Sequence, residues 1–259
     1  MFNRHDAVYA LLVPFTYAYP RPAVTVDVVL FTMRAEDLAV LLIKRGGTPF
    51  KGFWALPGGF VNEHEALEVA ASRELAEETG ITGVQIEQLG AFGDPGRDPR
   101  GHTVGVAYLA FVVAESHPVV AGDDAAEAAW IPLREIAQLA EASDPPPSAP
   151  PRGRARKRVS KTAKLAFDHA RIIARARARL QERLNDPTHH NVVEIVPQRF
   201  TLTELQRVYE AVFGRTLDRR NFRTRLLARG LVEPVSSARR TGRHRPAQLY
   251  RWKQPKARE

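Results

Sequence analysis

The chain has 259 residues, 44% hydrophobic and 26% charged, with no cysteine. That length suits two domains, and the missing cysteine excludes both a disulfide framework and a thiolate metal site. The +9 net charge hides a division: residues 1–150 hold 10 Lys and Arg against 20 Asp and Glu, whereas 151–259 hold 28 against 9. An acidic half joined to a strongly basic half implies two tasks, the second with the electrostatic footprint of a polyanion binder.

No apolar run is long enough for a bilayer span, so no membrane association is expected. The apolar stretch Val8–Tyr19 contains Pro14, lacks an A-x-A cleavage pattern and follows Arg4 and Asp6. It therefore reads as part of a cytoplasmic protein and not as an export signal. Residues 24–31 are β-branched and partly alternating, which predicts a strand, and 38–43 predict a second. The turn-rich run 46–52 precedes Trp54-Ala-Leu-Pro-Gly-Gly59. A helix is predicted from Glu63 to Thr79, with Asn62 and Glu65 as a capping box and Gly80 as its stop. Strands follow at 83–92 and 104–113, then a helical segment opening at Trp130-Ile-Pro132 and ending near Ala142. The Pro-rich run 143–154 reads as a linker and 155–161 as a basic extension; whether residues 152–158 touch DNA or stay solvated is open. A helix from Lys161 to about Leu184 places Leu165, Ile172, Ala176, Leu180 and Leu184 near one stripe, with arginines interleaved.

Within the first half, Gly59, Glu65, Arg73-Glu74-Leu75, Glu77-Glu78, Gly80 and Ile81 fill every fixed position of G-x5-E-x7-R-E-U-x-E-E-x-G-U, where U is aliphatic. Glu74 and Glu78 are four residues apart, so a helix turns both carboxylates to one side, with Glu77 one position off. Clustered carboxylates suit a hard cation such as Mg²⁺ or Mn²⁺, which also engages substrate phosphates and can activate water. Glu74, Glu77 and Glu78 are thus the candidate metal ligands, and Glu77 and Glu78 the candidate catalytic residues. Gly58 and Gly59 let the chain turn tightly and let a phosphate approach the backbone. Further ligand candidates are Arg45 and Arg97, or Arg100, as phosphate partners. Trp54 offers a face for a base or a core residue. Glu127 reads as a base or a solvated loop acid, and His64 and His102 lack metal-ligand spacing to another histidine.

In the basic half, Thr201 and Glu204 form a capping box, and Leu202, Leu205, Tyr209 and Val212 recur at helical spacing up to Gly214. A second helix starts at Asp218, with Leu217 and Phe222 spaced as a hydrophobic staple; Arg225 and Leu227 fit its wheel poorly, so an early end is expected. A strand at 231–235, a basic loop at 239–245 and a strand at 247–252 follow. Helix, turn, helix, strand, basic loop, strand is the order of a winged helix. Arg219, Arg220, Asn221 and Arg223 would then meet major-groove base edges. Arg240, Arg243 and Arg245 would meet phosphate or the minor groove.

The filled motif resembles the Nudix hydrolase box. With residues 165–170, 200–210, 219–223 and 245–250, nearly the whole chain is similar to the NrtR family of Nudix-related regulators of NAD metabolism. The resemblance implies an α+β protein: an N-terminal Nudix α/β/α sandwich with a mixed sheet (1–150), a linker and connecting helix (151–190), and a C-terminal winged helix-turn-helix (191–259). In that family the residues matching Glu65 and Arg73 hold the loop–helix–loop, which implies an Arg–carboxylate pair here. The resemblance also implies a homodimeric repressor that binds a double-stranded DNA operator at NAD-biosynthesis or salvage genes and responds to ADP-ribose or a related metabolite. Many family members have degraded boxes; this one is intact. An Mg²⁺-dependent ADP-ribose pyrophosphatase, or a bifunctional protein, is therefore the alternative, with ADP-ribose as substrate instead of effector.

Overall fold

The computed structural model describes residues 17–34, 36–113, 117–119, 125–136, 163–185, 198–240 and 247–253. The predicted linker at 143–154, the basic run at 155–161, Arg243, Arg245 and most of the expected basic loop lie outside the described residues. So does the stretch from Val8 through residue 16.

Strands β1 (Ala23–Arg34), β2 (Asp37–Arg45), β3 (Trp54–Ala55), β4 (Gly58–Phe60), β5 (Glu87–Phe92), β6 (Thr103–Phe111) and β7 (Ala125–Pro132) form one sheet. Its main path runs β3-β2-β1-β6-β5, with β4 paired to β1 and β7 to β2. Only β1 and β6 run parallel, so the sheet is mixed. Along β1 the pleat sends Val26, Val28 and Leu30 into one apolar layer with Ala70, Ala71 and Leu75 of helix α1 (Leu67–Thr79). It sends Val29 and Phe31 into the opposite layer, with Ile172, Ile173, Ala176 and Leu180 of helix α2 (His169–Asn185). That register assigns Thr25 and Asp27 to the α2 side, where they supply a polar end to an otherwise apolar face.

Several boundaries depart from expectation. Helix α1 begins at Leu67, four residues later than predicted, and its N-cap is Ala66 without a side-chain cap. Glu65 does accept the Asn62 N–H at 3.0 Å, but its carboxylate is mainly engaged by Arg73. Gly80 closes the helix as expected, at φ 72°. Residues 125–132, expected as a loop acid followed by a helix opening, are a strand paired to β2, ending in a 3-10 turn at Leu133–Glu135. Glu127 lies on that strand, paired with Lys44. The connecting helix starts at His169 and not at Lys161, because residues 163–166 run extended: Leu165 bridges Trp54 and Ala163 bridges Ile136. Its buried stripe is nonetheless Ile172, Ile173, Ala176, Leu180 and Leu184.

Helices α3 (Leu202–Phe213) and α4 (Arg219–Ala228) and the two-stranded sheet of β8 (Val232–Arg240) and β9 (Ala247–Trp252) form the C-terminal module. Thr201 and Glu204 make the full capping box, Gly214 caps α3 at φ 66°, and Asp218 caps α4 by accepting the Asn221 N–H. Helix α4 runs to Ala228 and does not end early, because Leu226 is buried on the side it shares with Phe222. Strand β8 is longer than predicted and irregular between Pro234 and Arg239. The module's core (Phe200, Leu205, Val208, Val212, Leu226 and Val232) is continuous with the α2 layer of the sheet.

The orphan carbonyls at the helix ends tie the two halves together. Arg177 Nε and Gln181 Nε2 both donate to the Val212 carbonyl, at 2.8 and 3.0 Å, and Tyr209 Oη donates to the Leu184 carbonyl at 3.1 Å. The cationic Arg177 beside the α3 C-terminus also offsets the negative end of that helix. Arg207 of α3 pairs with Glu36 at 2.7 Å, and Arg183 of α2 pairs with Glu87 of β5.

Candidate functional site

A cleft of about 110 Å³ opens between the sheet, the 94–101 loop and the head of α2. Its floor is Gly58 and Gly59, its polar wall is Thr25, Asp27, Arg97 and Asp98, and Arg45, Arg100, Phe60, Phe167 and His169 complete it. Of the ligand residues expected from sequence, Arg45, Gly58, Gly59 and Arg97 meet here. Trp54 does not: it lies half-buried on β3, its backbone N–H donates to the Lys164 carbonyl, and its side chain packs on the core. His64 is highly exposed beside Glu63, and His102 is exposed.

Gly58 has to be glycine. Its φ is 156°, and a Cβ there would sit 2.1 Å from the Val26 carbonyl oxygen. That close approach lets its N–H donate to Glu78 Oε2 at 2.9 Å. A Cβ on Gly59 would meet Glu74 Oε1 at 2.5 Å, so the helix carboxylate packs directly against the glycine loop.

Arg73 organises the acidic helix. It grips Glu65 through Nε and an Nη at 2.7 and 2.9 Å, and donates to Glu74 at 2.8 Å and Glu77 at 3.0 Å. The hydrogen bonds from Arg73 carry Glu65 from its ordinary 4.5 down to about 2. Burial pushes Glu74 up, against the pull of the same guanidinium. This is the Arg–carboxylate pair expected between Glu65 and Arg73. Arg73 stands among the carboxylates expected to gather a divalent cation. No three Asp, Glu or His side chains among the described residues are arranged to hold a metal ion. The donor chemistry of Glu74, Glu77 and Glu78 suits Mg²⁺ or Mn²⁺; here Glu74 and Glu77 accept from Arg73, and Glu78 accepts the Gly58 N–H.

The cleft's arginines differ in commitment. Arg97, with 6% of its side chain exposed, gives a two-pronged pair to Asp168 at 3.0 and 2.8 Å and lies 3.7 Å from Asp27. Burial lowers the Arg97 guanidinium, but Asp168, Asp27 and Asp98 leave it raised overall. Arg100 forks onto buried Asp98, whose carboxyl it lowers. Arg45 donates Nε to the Pro49 carbonyl and lies 4.9 Å over the Phe167 ring, and burial with nearby Arg100 lowers its guanidinium. Phe167 has a φ of 50°, a sparsely populated conformation for an aromatic residue. His169 Nδ1 accepts the Leu56 N–H at 2.8 Å, which places its proton on Nε2, 3.4 Å from Asp27 Oδ1.

Asp27, Asp168 and His169 escaped the sequence reading. Thr25 and Asp27 alternate within an apolar strand, and that interruption was their available signal. Residues 168 and 169 lie in the segment 165–170 that carries the family resemblance, but their place inside a predicted helix gave no sign of a role in the cleft.

On α4, Arg219, Arg220 and Asn221 side chains are exposed and make no ion pair among the described residues. Arg223 is half-buried and donates to Thr203 Oγ1 at 3.1 Å. Arg240 ends β8, while Arg243 and Arg245 lie outside the described residues. A larger concavity of about 330 Å³ lies beside α4, lined by Tyr209, Phe213, Arg225 and Arg229, away from the acidic helix.

A mixed sheet between helices, the complete acidic box and an appended helix–helix–hairpin module define a Nudix protein fused to a DNA-binding winged helix. Family models agree: the NUDIX domain matches residues 21–150 and the NrtR DNA-binding winged helix domain matches 192–252. An Acinetobacter baylyi protein named ADPR responsive transcriptional repressor NtrR is 34% identical over 238 residues, covering 90% of this chain and 83% of that one. The structure of Shewanella oneidensis NrtR complexed with a 27mer DNA shares 34% identity at a TM-score of 0.61, covering 89% of this chain and 93% of that chain. The NUDIX domain of the same protein complexed with ADP ribose matches at 34% identity and a TM-score of 0.52, covering 67% of this chain and 97% of that one. The chain belongs to the NrtR family of Nudix-related transcriptional regulators.

Proposed function

We propose that this protein is a transcriptional repressor that binds operator DNA through α4 and the β8–β9 wing, and responds to ADP-ribose held in the cleft. One observation carries the reading: the cleft of the acidic domain is completed by Phe167 and His169, at the head of the helix whose other end is hydrogen-bonded to α3. A ligand there touches the element that supports the DNA-binding module. Arg45 and Arg100 supply cations for a diphosphate, and the glycine floor supplies close backbone approach. The ligand can change DNA affinity only by binding the DNA-competent and incompetent arrangements unequally. The protein acts as a homodimer on a two-fold operator at NAD-synthesis or salvage genes, with residues 1–150, 151–190 and 191–259 as its working units. The test is fluorescence anisotropy on such promoter DNA at fixed salt, with and without ADP-ribose. A specific complex whose affinity changes with ADP-ribose is expected; only salt-sensitive, sequence-independent association overturns the reading.

The intact box favours a second reading, an ADP-ribose pyrophosphatase using Glu77 and Glu78 with Mg²⁺ or Mn²⁺. Release of AMP and ribose 5-phosphate from ADP-ribose, dependent on added divalent cation and lost in Glu78→Gln, would establish it. With Arg73 engaging Glu74 and Glu77, we expect ligand binding without turnover.

A further inference from the structure

One buried group has no part in the reading above. Asp27 is 93% buried, and its Oδ2 accepts no hydrogen bond. It lines the cleft together with Arg97 and His169. Neither neighbour donates a hydrogen bond to that oxygen. Arg97 has its Nε and one Nη directed at Asp168 and remains 3.7 Å from Asp27 Oδ2. His169 is fixed through Nδ1 by the Leu56 N–H and turns Nε2 toward the other oxygen, Oδ1. On the adjacent strand, Gly105 keeps the space open: a Cβ there would lie 3.0 Å from Asp27 Oδ2 and 2.8 Å from Arg97. A buried carboxylate oxygen without a donor is costly, and a native site keeps one where something else supplies the donor.

The chemistry of that donor follows from the surroundings. A phosphate oxygen would be repelled by the carboxylate, whereas Arg45 and Arg100, which also line the cleft, offer it cations. A neutral hydroxyl donates without adding charge. We propose that Asp27 is a specificity-determining residue that accepts a hydrogen bond from a sugar hydroxyl of the ligand, so that the cleft selects a nucleoside diphosphate carrying a further sugar over the bare diphosphate. This rests on the reading of the cleft as a nucleoside-diphosphate site. Because Asp27 also faces His169, the selected hydroxyl sits where the cleft meets the connecting helix.

Calorimetric titration of the full chain with ADP-ribose and with ADP tests the proposal. The unaltered protein should bind ADP-ribose at least about tenfold more tightly than ADP, the value of one hydrogen bond to a charged group. Asp27→Asn, which keeps the shape, should lose most of that preference while ADP affinity changes less than about threefold. Equal affinities in the unaltered protein overturn the proposal without any reliance on the variant's folding. A variant that keeps the preference also overturns it, as does an equal fall for both ligands. If the unaltered protein binds neither, the nucleotide reading of the cleft fails along with it.

Discussion

The arginines of the cleft and those of α4 are the same residue type used in opposite ways. In the cleft, Arg97 and Arg100 are each held by a carboxylate at hydrogen-bond distance and Arg45 donates to the Pro49 carbonyl; on the acidic helix, Arg73 is held by carboxylates in the same way. Arg219 and Arg220 stand exposed and without an ion pair among the described residues. A paired guanidinium has fixed geometry and a neutralised charge, which suits shaping a small pocket. An unpaired one keeps its full field and its rotamer freedom, which suits meeting a polyanion whose phosphates recur along its length. The acidic and basic halves of the sequence therefore differ in how their charges are employed as well as in sign.

The largest effect should come from breaking a committed arginine. Arg97→Ala leaves Asp27 and Asp168 facing each other without their cation, at a cost of about 3–5 kcal/mol in denaturant unfolding. A loss under about 1 kcal/mol would show that the pairing is incidental and would erase the contrast. Next, Arg219→Ala combined with Arg220→Ala should weaken operator binding by about 2 kcal/mol or more and flatten its salt dependence, leaving stability and ADP-ribose affinity unchanged. Arg223→Ala should cost less DNA affinity than that pair, because its guanidinium already donates to Thr203. If Arg223 proves dominant in anisotropy titrations, it leaves Thr203 on binding and belongs with the free arginines.

Two smaller effects sharpen the comparison within each half. Thr201→Ala removes the hydroxyl that accepts the Glu204 N–H and should cost about 1 kcal/mol in thermal unfolding, with ligand binding intact. Glu65 is held down to about 2 by Arg73. A depressed carboxylate stabilises the native state above its unfolded value, and that contribution disappears as pH falls through the folded one. Thermal melts of Glu65→Gln should therefore lie below wild type at neutral pH and converge on it between about pH 4.5 and pH 2. A gap that stays constant across that window would mean that Arg73 contributes packing and no charge pairing.

Much of the fold was legible because it rests on local pattern. The box, Gly80, the capping box at Thr201, the cap at Asp218 and the apolar stripe of α2 all follow from spacings of a few residues, and the structure shows each. The failures were also physical. Asn62 and Glu65 are spaced as a cap and Glu65 does accept the Asn62 N–H, but His64 between them has a φ of 62° and the helix starts only at Leu67. Residues 163–166 continue a helical pattern in sequence, but they bridge Trp54 and Ile136 as extended chain. Residues 125–129, four alanines and a glutamate, lack strong strand-formers, yet pairing along β2 makes 125–132 a strand, since ladder hydrogen bonds outweigh propensity.

The sequence by itself determined two domains of opposite charge, the acidic helix with its glycine loop, and a winged helix, because periodicity and short spacings encode them directly. Only the tertiary structure decided which polar groups share a site. Arg97 and Asp168 are 71 residues apart and meet Asp27 across the sheet. No local spacing encodes that meeting: it depends on the register of β1 against β6 and on α2 packing over the face that Asp27 occupies. Periodicity specifies which side of an element is buried, and the partner it meets there is settled only when the chain packs.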